Sequence, residues 1–440
     1  MVDRELVAHL LRRATFGPTP AEVDTATSAG FDATLNSLVA PVGVDPGATA
    51  TPQPTLGVDA YDTLGKNPSP DAKQRARQAA REQILAVQRW WLGRMVSATH
   101  QLTEKMVFFW HGHWATSVQK VKSGPLILRQ LDTLRAHGRG DFAAFTKAML
   151  RDPALIFWLD GQRNTRQAPN ENLARELMEL FTLGIGAYRE DDIKAGARAL
   201  TGWTVDRATG ATSLMANRHD SGRKTILGQT ANFDVDSYAD LLVGQPTHGP
   251  FIARRLWFRF ASSQPLAPTT EQRLVAAYRQ GRDLNALVRA VFADEGFGGT
   301  RGQLVKQPVE WVVGAIRQLG INLADLTEAK ARQVLTGLDG LGQVPLRPPS
   351  VGGWPAGAAW LTTSSLQVRL RLAATLADEA SPTVLDPLAT GTPGSKMDQL
   401  ARLLVVDAWT ERTRSALAQV VGEPKRLLTV GLASPEYTIS

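Results

Sequence analysis

The chain has no cysteine among its 440 residues. That excludes disulfides, thiolate nucleophiles and Cys-ligated zinc or iron–sulfur clusters, so any metal would have to be held by His, Asp, Glu or Asn. Long apolar runs are missing too. Nothing reaches the roughly 18 consecutive apolar residues that a membrane-spanning helix needs. The first residues, MVDRELVAHLLRRATFG, lack the basic start and apolar stretch of a signal peptide, and on its own the chain reads as cytoplasmic. The chain also lacks a Gly-x-x-x-x-Gly-Lys-Ser/Thr phosphate loop, a Gly-x-Gly-x-x-Gly dinucleotide turn and a Gly-x-Ser-x-Gly nucleophile elbow. Positive charge is only modestly in excess, at +7, and is spread thinly. Its densest run, Arg75 to Arg81, is broken by Gln, Ala and Ala and followed by Glu82, which fits a solvated helix face better than a nucleic-acid surface. No nucleic-acid partner is expected.

With 43% hydrophobic and 21% charged residues, the composition suits a globular protein with a substantial core. Most segments read as amphipathic helices separated by Pro and Gly, several of them with their own start signals. Thr19-Pro20-Ala21-Glu22 combines an N-cap threonine, proline at the first helical position and glutamate at the third, which is a capping box. Ser69-Pro70-Asp71 opens another helix, which should run through the Arg-rich stretch to Ser97. Residues 41–68 read as a Pro/Gly/Thr-rich surface loop, 205–233 as an irregular or β insertion, and 341–361 as a Pro/Gly-rich loop lining a cleft with Trp354 and Trp360. The expected fold is mainly α: a compact multi-helix body over 1–440, one large helical domain with a small irregular or β insertion.

Three polar constellations could carry chemistry. The first puts Asn170, Glu171, Asn172, Arg175, Glu176 and Glu179 into ten residues. On an unbroken α-helix Glu171, Asn172, Arg175, Glu176 and Glu179 share, with Thr182, a sector of about 140°. Glu171, Arg175 and Glu179 at i, i+4 and i+8 could form a ladder of surface ion pairs. Glu176 adds a carboxylate on the same side, and paired carboxylates can bind metal or divide acid and base roles. The second is Phe108-Phe109-Trp110-His111-Gly112-His113-Trp114. If the helix before it continues, the two imidazoles diverge by about 200°, so only one would reach a common pocket. They are either core histidines satisfied by hydrogen bonds or acid–base or metal-ligating groups. The third is His219-Asp220-Ser221-Gly222-Arg223-Lys224, which is either a turn or a loop carrying an imidazole and a cation over the cleft. Trp203, ending the first block, reads as an aromatic plug. His111, His113 and Glu176 are the metal candidates, in a two-His-one-carboxylate pattern less specific than His-Glu-x-x-His.

At these residues the chain resembles the bacterial domain of unknown function 1800 family over nearly its whole length. The resemblance is carried by His9 to Pro18 (HLLRRATFGP), by Phe109 to His113, and by the block from Asn170 to Trp203. It continues through His219 to Lys224, Phe251 to Leu256 (FIARRL) and Gly352-Gly353-Trp354-Pro355. There are two departures. Phe181 stands where members often have histidine, which weakens any metal site built on that residue, and Thr247-His248-Gly249 replaces a commoner Ala-Thr-Ala. The resemblance implies a partner, a co-encoded sulfatase-like protein of unknown-function family 1501 exported by the twin-arginine route. It also implies that a chain without its own signal could leave the cell folded with such a partner.

The leading expectation is a hydrolase-like or lyase-like enzyme. Glu176 and Glu179 would supply acid–base or metal-ligand carboxylates, His111 or His113 an imidazole, and Arg175 a hold on an anionic group, with a divalent metal as the cofactor the set could take. Asn170, Glu171, Asn172, His219, Asp220, Lys224, Trp203 and Trp354 would line the substrate site. The competing expectation is a non-enzymatic partner or escort of the exported protein, touching it through the loop near Trp354.

Overall fold

The computed structural model describes residues 4–62, 64–65, 67–279 and 282–440; positions 63 and 66 of the expected 41–68 loop and position 280 of an expected helix lie outside them. Among the described residues the fold is mainly α, with 24 α-helices and two small two-stranded sheets. The start signals work as chemistry requires. Thr19 Oγ1 accepts from Glu22 N–H while the Glu22 carboxylate accepts from Thr19 N–H at 2.7 Å, which satisfies two donors that a helix end leaves open. Ser69 caps the helix Pro70–Ser97 through Ala72 N–H. Arg75, Arg77 and Arg81 lie exposed on that helix while Ala76, Ala80, Val87 and Trp91 are buried.

The helix Gln101–His113 is buried on nearly every side, its apolar run Met106–Trp110 together with the polar Gln101, Glu104, Lys105, His111 and His113. Trp110 packs edge-on against Phe145, and Trp114 against Phe145 and Phe181. Its one buried carboxylate, Glu104, is fully enclosed. It accepts from Arg135 Nε at 2.6 Å and lies 3.6 Å from Arg94 Nε. Two cations offset what an isolated buried charge would cost.

The insertion is two hairpins. Trp203–Val205 pairs antiparallel with Thr212–Leu214, and Lys224–Ile226 with Gln229–Ala231. Leu227 and Gly228 both have positive φ, the requirement of a tight two-residue turn whose twist suits a hairpin. Leu227 N–H donates to Asp192 at 2.7 Å and ties the turn to the helix Glu190–Ala199.

The 41–68 stretch is anchored more firmly than its composition suggests. It contains a short helix, Pro46–Ala50, and its Asp45 and Asp59 are buried, paired with Arg94 and Arg207. Residues 341–361 wrap the body with only a short 3₁₀ turn at Gly357–Trp360. There Gly353, at φ +86°, lets the chain pass so close that a Cβ would stand 2.4 Å from the Gly112 carbonyl oxygen. That approach brings Trp354 beside the end of the Gln101–His113 helix. No helix among the described residues is long and apolar enough to cross a membrane.

Candidate functional site

A cleft of about 1080 Å³ opens between four segments: the end of the Gln101–His113 helix, the stretch 179–187, the helix His248–Phe260, and residues 352–356. Its first wall depends on a local irregularity. After a short α-helix, Asn172–Glu176, the chain forms a π-helical turn over Leu177–Thr182. Thr182 Oγ1 donates to Leu177 C=O at 2.6 Å, and the N–H groups of Leu183 and Gly184 both reach back to Met178 C=O. Glu179 and Leu180, both in this wider turn, line the cleft. Gly184, at φ +90°, then reverses the chain; a Cβ there would stand 3.1 Å from the Phe251 ring.

The carbonyls that this helix end leaves open are taken by two buried imidazoles. His113 Nε2 lies 3.0 Å from Phe181 C=O, and His248 Nδ1 lies 2.8 Å from Thr182 C=O. A carbonyl only accepts, so each of those nitrogens carries the hydrogen, and His113 is left with a bare Nδ1 lone pair. Burial above all, then the nearby Arg255 charge, holds His113 well below the ordinary histidine range, so it is neutral at pH 7. His248 Nε2 in turn accepts from the Tyr278 hydroxyl at 2.7 Å.

The opposite wall is one face of the helix His248–Phe260. Phe251, Arg254, Arg255 and Phe258 fall within a sector of about 100°. The three arginines of this wall differ in what they meet. Arg254 makes a two-point ion pair with Glu271, and Arg259 does so with Glu310. Arg255 has no carboxylate or hydrogen-bond acceptor among the described residues; its guanidinium stands 5.5 Å from the Phe251 ring, and burial holds its pKa down to about 10. Glu179 accepts from the Tyr188 hydroxyl at 2.7 Å; burial, then this bond, pushes that phenol above its ordinary value. Trp354 closes the end, stacked on Phe108 at 6.0 Å.

Of the residues singled out by sequence, His113, Glu179 and Trp354 therefore meet in the cleft. The helix does continue through His113, and the two imidazoles diverge. His111 is buried behind Trp354, between that ring and Trp91, with neither nitrogen hydrogen-bonded, and burial lowers its pKa to about 3. Arg175 lies at the surface, paired with Glu190 at 2.5 Å and Glu171 at 3.1 Å. Glu176, beside them, has its pKa raised by burial and by Glu179. Asn170 and Asn172 brace the helix start: Asn170 N–H donates to Asn164, and Asn172 N–H to Asn170.

The third constellation lies in the insertion and outside the cleft lining. His219 Nδ1 is 2.9 Å from Thr201 C=O, and Asp220 accepts from Arg198 Nε at 2.7 Å. Lys224, buried, donates to the Gly222 and Phe233 carbonyls, while Arg151 sits over the Trp203 ring. Among the described residues no three His, Asp or Glu side chains approach as a metal-binding group, so His111, His113 and Glu176 do not assemble the donor set expected of them. Sequence reasoning met Arg255 only inside the Phe251–Leu256 stretch, without giving it a role, and passed over Phe258. The available signal was the spacing of Phe251, Arg255 and Phe258 at i, i+4 and i+7, an aromatic–cation stripe on one helix face.

Fold and cleft together define a class: a mainly α protein whose helices frame an open aromatic cleft with an unpaired cation in its wall. The chain belongs to the family described as protein of unknown function DUF1800, whose model matches residues 9–439. No curated protein and no solved structure matches it.

Proposed function

We propose that the cleft binds a molecule with an apolar body and an anionic group, the anion on Arg255 and the body between Phe251, Phe258 and Trp354. The observation that carries this is Arg255: a guanidinium with no acceptor among the described residues, in a largely apolar cleft that includes Phe251, Phe258 and Trp354. Half-buried in that wall, such a charge is served only in part by water, a place an anionic group can take. On that ligand the protein acts as a hydrolase-like or lyase-like enzyme. Glu179 is the acid–base group that shares the cleft with the cation, while His113, in the same lining, keeps its bare Nδ1 enclosed. Arg175, already held by two carboxylates, is not needed for binding in this reading.

The test is titration with anilinonaphthalene sulfonate, an apolar body bearing one anion, followed by fluorescence. Saturable binding that weakens in Arg255→Gln and persists in Arg175→Gln supports the reading. Equal binding by both variants, or none by the parent, would remove it. An enzyme further requires turnover, and Glu179→Gln should abolish any turnover found without loss of dye binding.

A second reading, the non-enzymatic partner of a sulfatase-like exported protein, is favoured by exposed apolar side chains. Ile185 at the cleft rim is 83% exposed, and Leu366 and Leu370, one turn apart on the helix Thr363–Asp378, are 55% and 47% exposed. It predicts co-purification that Leu366→Lys with Leu370→Lys abolishes while dye binding is kept.

A further inference from the structure

Beside the cleft lies a smaller cavity of about 40 Å³, which shares Phe258, Arg259, Gln307 and Ala356 with it. The N-terminal helix Arg4–Ala14 supplies Arg12 and Arg13 to its wall. Lys105, Arg259 and Lys306 complete a set of five cations around one carboxylate, Glu310. Glu310 is already committed: it takes Lys105 at 2.9 Å and both Nη atoms of Arg259, at 2.8 and 3.2 Å. Arg12 is neutralised by Asp407, through two bonds of 2.8 Å.

Arg13 and Lys306 have no such partner. Arg13 is buried and donates only to neutral oxygens, Thr300 C=O at 2.8 Å and Ser440 Oγ at 3.3 Å, and its buried Nε has no acceptor. The Lys306 ammonium sits 3.6 Å over the Tyr437 ring, with no hydrogen-bond acceptor among the described residues. Five cations against Glu310 and Asp407 leave three positive charges, and a carboxylate on the main chain at Ser440 would still leave two. Burial, reinforced by the neighbouring cations, pulls Lys306 down to about 7, Lys105 to about 8 and Arg13 to about 9.

We propose that this cavity is a binding site for a phosphate-type dianion, held by Arg13 and Lys306. Arg13 is buried and Lys306 half-buried; cations so placed persist where they are paired, and the missing partner here must bring about two negative charges and several acceptor oxygens. The size agrees. At roughly 10–15 Å³ per water position, the cavity holds about three waters, the room of one tetrahedral oxyanion. The anion is either free phosphate or the phosphoryl end of a molecule that continues into the cleft, and the assignment stands whether or not Arg255 holds a ligand.

The experiment is calorimetric titration of the full chain with inorganic phosphate at low ionic strength, with melting temperatures recorded beside it. One anion should bind per chain and raise the melting temperature. Lys306→Gln and Arg13→Gln should each weaken binding by about tenfold to a hundredfold, the weight of one charge-assisted hydrogen bond, while Arg255→Gln leaves it nearly unchanged. Without phosphate, Lys306→Gln should melt higher than the parent, because it relieves repulsion; a lysine kept only for its contact with Tyr437 would make the variant melt lower. No saturable heat, or undiminished binding by both variants, would overturn the proposal. Tighter binding of hexyl phosphate, with the gain lost in Phe258→Ala, would identify the source as the head of a cleft ligand, and equal affinities would identify free phosphate.

Discussion

Arg175 and Arg255 carry the same guanidinium on neighbouring parts of the molecule, under opposite conditions. Arg175 lies at the surface between Glu171 and Glu190, so its charge is balanced twice and is also solvated, and its pKa is raised, first by its bonds to Glu190. Arg255 lies in the cleft wall against Phe251 with no carboxylate at hand, and burial lowers its pKa. An exposed ion-pair ladder contributes little, because water already serves both charges well. A cation kept without a partner in an aromatic wall costs the fold something, and what it keeps available is the capacity to bind. In this chain the densest polar block in the sequence therefore marks a surface ladder beside a helix that turns its last carboxylate inward, whereas an ordinary-looking arginine marks the cleft.

That contrast between paired and unpaired charge can be broken in order of expected effect. Glu104 is the fully paired extreme. Glu104→Ala takes away a carboxylate shared by Arg94, which keeps Asp45, and by half-buried Arg135, which keeps Asp132, and should cost about 3 kcal/mol of unfolding free energy in denaturant titration, the lower end for breaking a buried ion pair. A loss below about 1 kcal/mol would mean that those arginines reach solvent freely.

Asp152 is the acidic counterpart of Arg255. It is buried, caps Leu155 N–H at 2.9 Å and accepts from Gln130 at 2.7 Å, but forms no ion pair among the described residues, and burial, only partly offset by these bonds and the Arg129 charge, raises its pKa from 3.8 to about 7. A carboxyl that holds its proton more tightly folded than unfolded contributes its full stability below its unfolded value. That contribution is lost as pH rises through the folded value, so the window runs from about pH 4 to about pH 7. Asp152→Asn keeps the cap and removes the titration. Relative to the parent it should gain on the order of a few kcal/mol between those limits. Parallel stability–pH curves for the two proteins would refute this.

Arg255→Gln should weaken dye binding by about 1.5–3 kcal/mol, the range for a hydrogen bond to a charged group. The same change should raise the melting temperature slightly, since an unpaired charge leaves the wall. Smallest of all, Arg175→Gln should cost about 0.3–1 kcal/mol of stability, shrinking with added salt, and leave dye affinity alone. If Arg175→Gln proved the more damaging to binding, the contrast would be inverted.

Much of the fold was legible before any coordinates. The capping box at Thr19–Glu22, the helix from Pro70 to Ser97 and the β character near 205–233 all follow from local rules, because caps, proline positions and apolar periodicity act over a few residues. The divergence of His111 and His113 followed from helix geometry as soon as the helix ran that far. The 41–68 stretch was harder to read: Asp45 and Asp59 look like loop residues until Arg94 and Arg207 arrive from far along the chain. The helical wheel of the Asn170 block did not foresee the π turn at Leu177–Thr182, which leaves no mark in composition.

By itself, then, the sequence determined the helical class, the helix starts, the exclusion of thiol chemistry and the stock of ionisable residues, all of which depend on residue type and near neighbours. Only the tertiary structure decided which charges are paired. Glu190 joins Glu171 on Arg175, Glu310 closes on Arg259 and Lys105, and no carboxylate among the described residues closes on Arg255, because such pairing depends mostly on distances between segments apart in the chain. Whether a cation is a surface ornament or a binding group is settled by its surroundings, through the dielectric and the partners that packing places around it.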